Sequence, residues 1–126
     1  MGIRGRGASK REAFEQAAVA LTAVIANPDS VQPIERVTIQ REDKDDELLF
    51  AEWINALVYE MAIRKMLFSR FCVTLSGSSL AGEAWGEPVD VAKHQPAVEV
   101  KGATYTALQV RQESDGNWIA QCVVDV

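Results

Sequence analysis

The chain has 126 residues, enough for one domain with a hydrophobic core that needs no disulfide bonds. Its hydrophobic fraction of 48% and charged fraction of 25% are typical of a globular protein. The net charge of −5 disfavours a free-standing nucleic-acid-binding protein, because affinity for phosphate backbones comes mainly from Lys and Arg side chains. If RNA is involved, we therefore expect a partner protein to hold it.

Two cysteines, Cys72 and Cys122, lie far apart and form no CxxC motif, which excludes a thioredoxin-like motif and a zinc knuckle. We expect both to be half-buried apolar side chains on strands of a reduced, cytoplasmic protein. The opening residues lack the apolar run of a secretory signal. Residues 48–68 are the most apolar helical stretch but include Glu52 and Arg64, so we expect no membrane span.

Residues 9–12 read Ser-Lys-Arg-Glu and form a capping box, in which the Ser9 hydroxyl accepts a hydrogen bond from the Glu12 backbone N–H. An apolar stripe with helical spacing follows over residues 13–25. The pair Asn27-Pro28 is a typical stop signal. The sequence therefore predicts a first helix between Ser9 and Asn27.

Residues 33–40 alternate polar and apolar side chains and predict a strand. The charged run over residues 41–47 predicts either a solvated loop or the acidic start of a helix. A second, more buried helix is predicted over residues 50–68 from apolar side chains at i, i+3, i+4 and i+7, of which Phe68 is the last.

The rest of the chain predicts two hairpins. Residues 70–76 and 80–87 alternate around a Gly-Ser-Ser turn, and residues 103–111 and 117–126 flank a turn that contains Asp-Gly. The resulting order of strand, helix, strand, helix and then strands predicts an α+β fold. We expect two helices on one face of a largely antiparallel or mixed sheet, in a single domain over residues 1–126.

The usual catalytic motifs are missing from the sequence. No GxSxG elbow lies near the one histidine, His94, and a zinc site would need more His or Cys residues than the chain has. No P-loop occurs, and Gly2, Gly5 and Gly7 do not match a GxGxxG motif. We expect these glycines to permit a bulge or a close backbone approach instead.

The polar stretch over residues 85–105 is the strongest candidate for a functional site, because loops held on a rigid scaffold tend to carry function. Its acids and the acid near the C-terminus offer oxygen ligands for calcium or magnesium. These candidates are Glu87, Asp90, Glu99 and Asp125. Alternatively the acids are solvated surface, Lys101 pairs with Glu99, and His94 is a surface or core side chain rather than a ligand.

The chain resembles the archease family over nearly its whole length. The first matching segment is the opening GIRGRGASKREAF, a Gly-rich strand followed by a capped helix. The second is the family block YGEP-D---H----EVKA-TYH, which reads WGEPVDVAKHQPAVEVKGATYT over residues 85–106. The third is the final strand, which ends V-D-(I/V) in the family and Val124-Asp125-Val126 here.

The resemblance implies a small α+β protein that is not an enzyme. Archeases assist the RtcB-type RNA ligase, which joins tRNA exon halves or otherwise broken RNA with GTP and a divalent metal. They promote guanylylation of the ligase's active-site histidine and allow multiple turnover. The resemblance therefore implies a protein cofactor in tRNA splicing or RNA repair that reaches RNA only through the ligase.

The resemblance also implies two sets of site residues. Asp125, with the main chain or terminal carboxylate of Val126, would belong to a divalent-metal site, most simply a calcium site. The metal-bearing tip would enter the nucleotide site of the ligase. The partner-binding set would be Glu87, Asp90, His94, Glu99, Lys101, Thr104 and Tyr105.

Two departures from the family pattern bear on this site. The family strand begins H-T-A-D-(I/M)-G, whereas this sequence has Met1-Gly2 where D-M-G would stand. Either this sequence starts at an internal Met, or the protein truly lacks that Asp and the residues before it. In the second case the resemblance implies weaker metal binding and an exposed sheet edge. The Tyr-His pair of the family is Tyr105-Thr106 here, so no role of that histidine carries over.

Two other functions stay open for the same residues. A metal-dependent hydrolase would use Glu87, Asp90, His94 and Asp125, and it would show turnover without a partner. A chaperone-like or general interaction module would bind many unrelated proteins. The acidic balance and the lack of a catalytic motif favour the cofactor.

Overall fold

The computed structural model describes all 126 residues, which form six strands and three α-helices. The elements in chain order are β1 (Gly2–Gly7), α1 (Lys10–Ile25), β2 (Glu35–Glu42), α2 (Asp46–Arg64), β3 (Met66–Ser76), β4 (Ser79–Pro88), α3 (Val91–His94), β5 (Gly102–Gln112) and β6 (Trp118–Asp125). The strands form two antiparallel three-stranded sheets, with the orders β1-β6-β5 (sheet 1) and β2-β4-β3 (sheet 2). The predicted α+β class and both hairpins are confirmed, but the one expected sheet is divided in two.

The first helix begins and ends where its signals predict. The Ser9 hydroxyl accepts a hydrogen bond from the Glu12 backbone N–H at 3.3 Å, and α1 ends at Ile25. The helix lies against β1 so closely that a Cβ on Gly5 would sit 2.0 Å from the carbonyl oxygen of Ala13. The expectation that an early glycine permits a close backbone approach is therefore confirmed at Gly5.

The second helix ends earlier than its apolar pattern predicts. Asp45 caps its start, because the Asp45 carboxylate accepts from two backbone N–H groups at 2.8 and 3.1 Å. The helix stops at Lys65, which has a left-handed φ of 53°. Phe68 is fully buried but lies in β3, so its assignment to the helix was wrong. The buried residues at the start of β3 continue the apolar run, and Lys65 stands where a glycine usually marks the left-handed end of a helix.

A single cluster of 28 buried side chains fills the space between the helices and the sheets. Trp53 of α2 is at its centre, where the indole Nε1–H donates to the carbonyl oxygen of Phe14 at 3.1 Å. The indole lies over Gly82 of β4, and a Cβ there would come within 2.4 Å of the ring. The aromatic ring of Phe71 meets the indole edge to face. Trp53 thus joins α1, α2 and sheet 2.

Polar side chains of α2 cover the outer edge of sheet 1. A carboxylate oxygen of Glu47 accepts from the Val110 backbone N–H at 3.3 Å, and Asn55 Oδ1 accepts from the Ala103 N–H at 2.8 Å. Because β5 is an edge strand, these side chains satisfy backbone groups that would otherwise face solvent. The helix therefore fixes the position of β5, the strand that follows the polar stretch.

The two cysteines differ in exposure, contrary to the expectation that both are half-buried. Cys122 is buried in β6, and burial raises the pKa of its thiol to about 11. Cys72 is exposed on the outer face of β3, opposite Glu83.

No helix in the structure combines the length and the apolar character that crossing a membrane requires.

Candidate functional site

The segment between β4 and β5, residues 89–101, is called the connector below. It contains the short helix α3, which the sequence did not predict. The Asp90 carboxylate caps this helix by accepting from two backbone N–H groups at 3.1 and 3.2 Å. The helix ends at Gln95, which has a left-handed φ of 47°. Asp90 therefore orders the start of the connector, although its side chain is exposed.

Glu87, at the end of β4, collects three hydrogen bonds on one carboxylate oxygen. The donors are Lys93 Nζ at 2.7 Å, His94 Nε2 at 3.0 Å and the Gln32 backbone N–H at 2.8 Å. The Glu87 side chain is only 13% exposed. The hydrogen bond from Lys93, followed by those from Gln32 and His94, lowers the pKa of Glu87 to about 2. Glu87 therefore stays ionised and ties the connector to the segment before β2.

His94 is held at both ring nitrogens. Its side chain is fully buried, and Nδ1 accepts from the Asp90 backbone N–H at 2.9 Å. Because Nδ1 is an acceptor, the proton sits on Nε2 and is donated to Glu87. Neither nitrogen is free to bind a metal or to exchange a proton with a substrate. The structure places His94 as an internal clamp of the connector.

Replacing Glu87 by Gln tests this network through its pH dependence. The folded protein holds the pKa of Glu87 at about 2, below its ordinary value of 4.5, so ionised Glu87 favours folding. This contribution is complete above pH 4.5 and is lost as the pH falls towards 2. We expect Glu87→Gln to be less stable than wild type at neutral pH, with the difference shrinking across this window. Urea unfolding at several pH values measures it.

Glu99→Gln is the matched control for this measurement. Glu99 is an exposed acid of the same connector and forms no ion pair in the structure. Its replacement should leave the pH dependence of unfolding unchanged. Equal pH profiles for wild type and Glu87→Gln would show that the network does not stabilise the fold.

A second group of candidates lies where β5 begins and the two chain ends meet. The Lys101 backbone N–H donates to the Asp125 carbonyl at 2.7 Å, and the Val124 N–H donates to the Met1 carbonyl at 2.7 Å. The Met1 ammonium donates to the Val124 carbonyl at 3.3 Å. The side chains of Lys101, Asp125 and Val126 are all exposed, and none of them forms an ion pair or hydrogen bond within the chain. These backbone bonds hold together the end of sheet 1, called the tip below, which consists of Met1, Lys101 and residues 124–126. The charged side chains of the tip, Lys101 and Asp125, are unpaired.

The alternative in which Lys101 pairs with Glu99 is not seen, because neither side chain forms an ion pair. The two residues are near neighbours in sequence, but β5 starts only at Gly102, so no strand aligns their side chains.

Thr104 and Tyr105 lie beside this tip, on an irregular part of β5. The pairing of β5 with β6 shifts register between Thr104 and Gln109, and Ala107 has a left-handed φ of 53°. The Thr104 hydroxyl donates to the Val123 carbonyl at 3.0 Å. Gln121 Nε2 donates to the Ala107 carbonyl at 3.1 Å. The bulge holds the Tyr105 side chain 72% exposed.

The structure thus separates the sequence candidates into two groups. Glu87, Asp90 and His94 form one internal network, while Lys101, Thr104, Tyr105, Asp125 and Val126 lie at the end of sheet 1. Glu99 lies between them, exposed on the connector. Asp125 makes no hydrogen bond to any member of the first group, although a hydrolase would need them to act together.

Sequence reasoning missed three residues that shape these groups. Lys93 and Gln32 bind Glu87, and Gln121 supports the bulge. Lys93 lies three residues after Asp90, within the short helix that Asp90 caps. This spacing could have predicted that Lys93 belongs to the same local network. Gln32 and Gln121 gave no signal in the sequence, because their roles depend on which strands pair.

The residues around Asp125 do not fit a complete metal centre. No group of three or more His, Cys, Asp or Glu side chains in the structure is placed to hold a metal ion. Asp125 and the terminal carboxylate of Val126 are oxygen donors, but calcium takes six to eight oxygen ligands. Calcium binding therefore stays a prediction for these residues.

The structure thus has a two-sheet α+β fold with a clamped connector and unpaired charged side chains at the end of sheet 1. Comparison with known proteins gives its family. The family model described as "Archease protein family (MTH1598/TM1083)" matches residues 1–126. The chain belongs to this family, as the resemblance in its sequence predicts.

Curated relatives agree with this assignment. "Protein archease" of Pyrococcus abyssi is 38% identical over 130 residues, and the match covers 100% of this chain and 92% of that protein. The protein of the same description from Sulfurisphaera tokodaii is 37% identical, with coverage of 100% and 91%.

Two solved structures share the fold. The solution structure of Methanobacterium thermoautotrophicum protein 1598 has a TM-score of 0.86 at 27% identity, covering 99% of this chain and 91% of that one. A crystal structure from Thermotoga maritima, described as "an archease, possible chaperone", has a TM-score of 0.66 at 15% identity and covers 100% of this chain and 90% of that one. The second likeness supports the fold alone.

Proposed function

We propose that this protein is a non-enzymatic cofactor of an RtcB-type RNA ligase. It promotes guanylylation of the ligase and multiple turnover in tRNA splicing or RNA repair. Family membership supports the proposal. The observation that carries it is the rigid tip at which Lys101 and Asp125 are exposed and unpaired, next to the exposed Tyr105.

Unpaired charges on rigid strand ends suit contact with a partner. Opposite charges held on a preorganised backbone steer association and fix the register of an interface, and an exposed Tyr adds contact area at low entropic cost. The internal network of Glu87 and His94 supports the same function indirectly, because it holds the connector that leads into Lys101.

The proposal assigns RNA binding to the ligase and not to this chain. The net charge of −5 is unfavourable for direct contact with phosphates. We propose that the protein works in the cytoplasm with the ligase, without a membrane.

A divalent cation at Asp125 and Val126 is a separate prediction. Because these two residues supply too few oxygen ligands, tight binding would need further donors from a partner. Calorimetric titration with calcium tests this prediction on the protein alone and on its mixture with the ligase. Asp125→Asn is the matched variant, since it keeps the shape of the side chain and removes its charge.

The proposed function is tested with purified ligase, GTP and a divalent metal. A sub-stoichiometric amount of the protein should accelerate guanylylation of the ligase histidine and raise the number of RNA joints made per ligase. The protein alone should join no RNA. Equal guanylylation rates with and without the protein would reject the proposal.

A chaperone-like interaction module is the second candidate. An open apolar groove beside the connector favours it, since Val91 and Val98 are exposed there. The two functions differ in their partners: a chaperone-like module captures many unrelated proteins, whereas a ligase cofactor captures one.

A further inference from the structure

An apolar groove lies between the C-terminal half of α2 and the connector. It has a volume of about 440 Å³, and 10 of its 13 lining residues are hydrophobic. Its floor is buried and belongs to the core, with Met61, Met66, Leu67 and Val100 among its members. Its rim is exposed, with Val91 at 71% and Val98 at 36%. The connector thus turns polar side chains towards Glu87 and apolar ones towards this groove.

One wall of the groove is a helix face. The side chains of α2 that line the groove lie at positions i, i+3, i+4 and i+7. They are Val58, Met61, Ala62 and Lys65, the residue that caps the end of the helix. Side chains three and four residues apart on a helix form ridges that pack into the grooves of a second helix. The opposite wall is formed by the connector, through Val89, Val91, Pro96, Val98 and Val100.

The charged side chains of the groove are unpaired. Lys65 and Glu99 both line it, and neither forms an ion pair in the structure, although seven other Lys and Arg residues do. An occupant with apolar side chains between one acidic and one basic side chain would complement both charges.

We propose that this groove binds an amphipathic helix of a partner protein. The helix presents apolar residues at i, i+3, i+4 and i+7, with a carboxylate that meets Lys65 and a basic side chain that meets Glu99. This inference goes beyond the proposed function, because it assigns a second interaction surface and the chemistry of its occupant.

The probe for the test is a fluorescein-labelled synthetic helical peptide. It carries leucines at i, i+3, i+4 and i+7, flanked by glutamate and lysine, and its binding is followed by fluorescence anisotropy. Val91→Asp and Val98→Asp should each weaken binding at least tenfold, because they place a charge on the apolar rim. Val91 is 71% exposed, so Val91→Asp should leave the fold intact, whereas Val98 is 36% exposed and its variant needs the same check. Circular dichroism checks this.

Ile34→Asp is the matched control variant. Ile34 is 68% exposed and precedes β2, outside the groove lining, so this change should leave peptide binding unaltered. Lys65→Glu should weaken binding of the probe and favour a peptide whose glutamate is replaced by lysine. A peptide of the same composition in scrambled order should not bind.

Three outcomes would overturn the proposal. The first is that the peptide binds neither the wild type nor any variant. The second is that all groove variants bind it as the wild type does. The third is that sedimentation shows a dimer that Val91→Asp dissociates, so that a second copy fills the groove. The assay contains no ligase or GTP. A negative result here therefore leaves the proposed ligase function standing, and a failure of ligase stimulation leaves the groove proposal standing.

Discussion

Asp125→Ala should leave the protein folded and lower its stimulation of ligase guanylylation at least tenfold. The Asp125 side chain is exposed and makes no hydrogen bond or ion pair within the chain, so its loss costs the fold about 0.5 kcal/mol or less. At an interface, truncating one partner of a buried charge pair costs about 2–5 kcal/mol, and about 1.4 kcal/mol already corresponds to tenfold. Guanylylation rates at a fixed, limiting concentration of the protein measure the effect.

Asp29→Ala is the control that separates position from charge. Asp29 is also exposed and its carboxylate is also unpaired, but it lies in the turn after α1. This variant has the same net charge as Asp125→Ala and should stimulate the ligase as the wild type does. If Asp125→Ala also retains full stimulation, the tip of sheet 1 is not the ligase-binding surface.

The two long helices and the two hairpins are predictable because their signals are local. The Ser9 cap of α1 and the Asp115-Gly116 turn each depend on a few neighbouring residues, and the structure has both. The division into two sheets depends on the pairing of β1 with β6, which joins opposite ends of the chain. No local pattern records that pairing, so one sheet was expected where two exist.

The candidate site shows the same limit at the level of side chains. Composition singled out Glu87 and His94, but it could not show that they bind each other. Their roles depend on the burial of His94 and on a backbone N–H from Gln32, far earlier in the chain. The unpaired state of Asp125 is likewise a property of the folded chain, which only the structure reveals.

Trp53→Ala should destabilise the protein by about 4 kcal/mol, a large share of the roughly 5–15 kcal/mol typical of a folded domain. Trp53 is completely buried over Gly82, so truncation leaves a cavity that β4 has no side chain to fill. It also leaves the Phe14 carbonyl, which now accepts from the indole N–H, without its partner. Urea unfolding followed by circular dichroism measures the loss.

Two further variants separate the contributions to this loss of stability, namely the lost hydrogen bond and the buried position of the ring. Trp53→Phe keeps much of the apolar volume but removes the indole donor, so it should cost about 1–3 kcal/mol. Trp85→Ala removes an indole of the same size from the outer face of β4, where the ring is only half-buried beneath Arg70, and it should cost less than Trp53→Ala. A loss at Trp53→Ala no larger than at Trp85→Ala would contradict the central position of Trp53. A large loss would also weaken the placement of β5, because the same helix α2 holds that edge strand through Glu47 and Asn55.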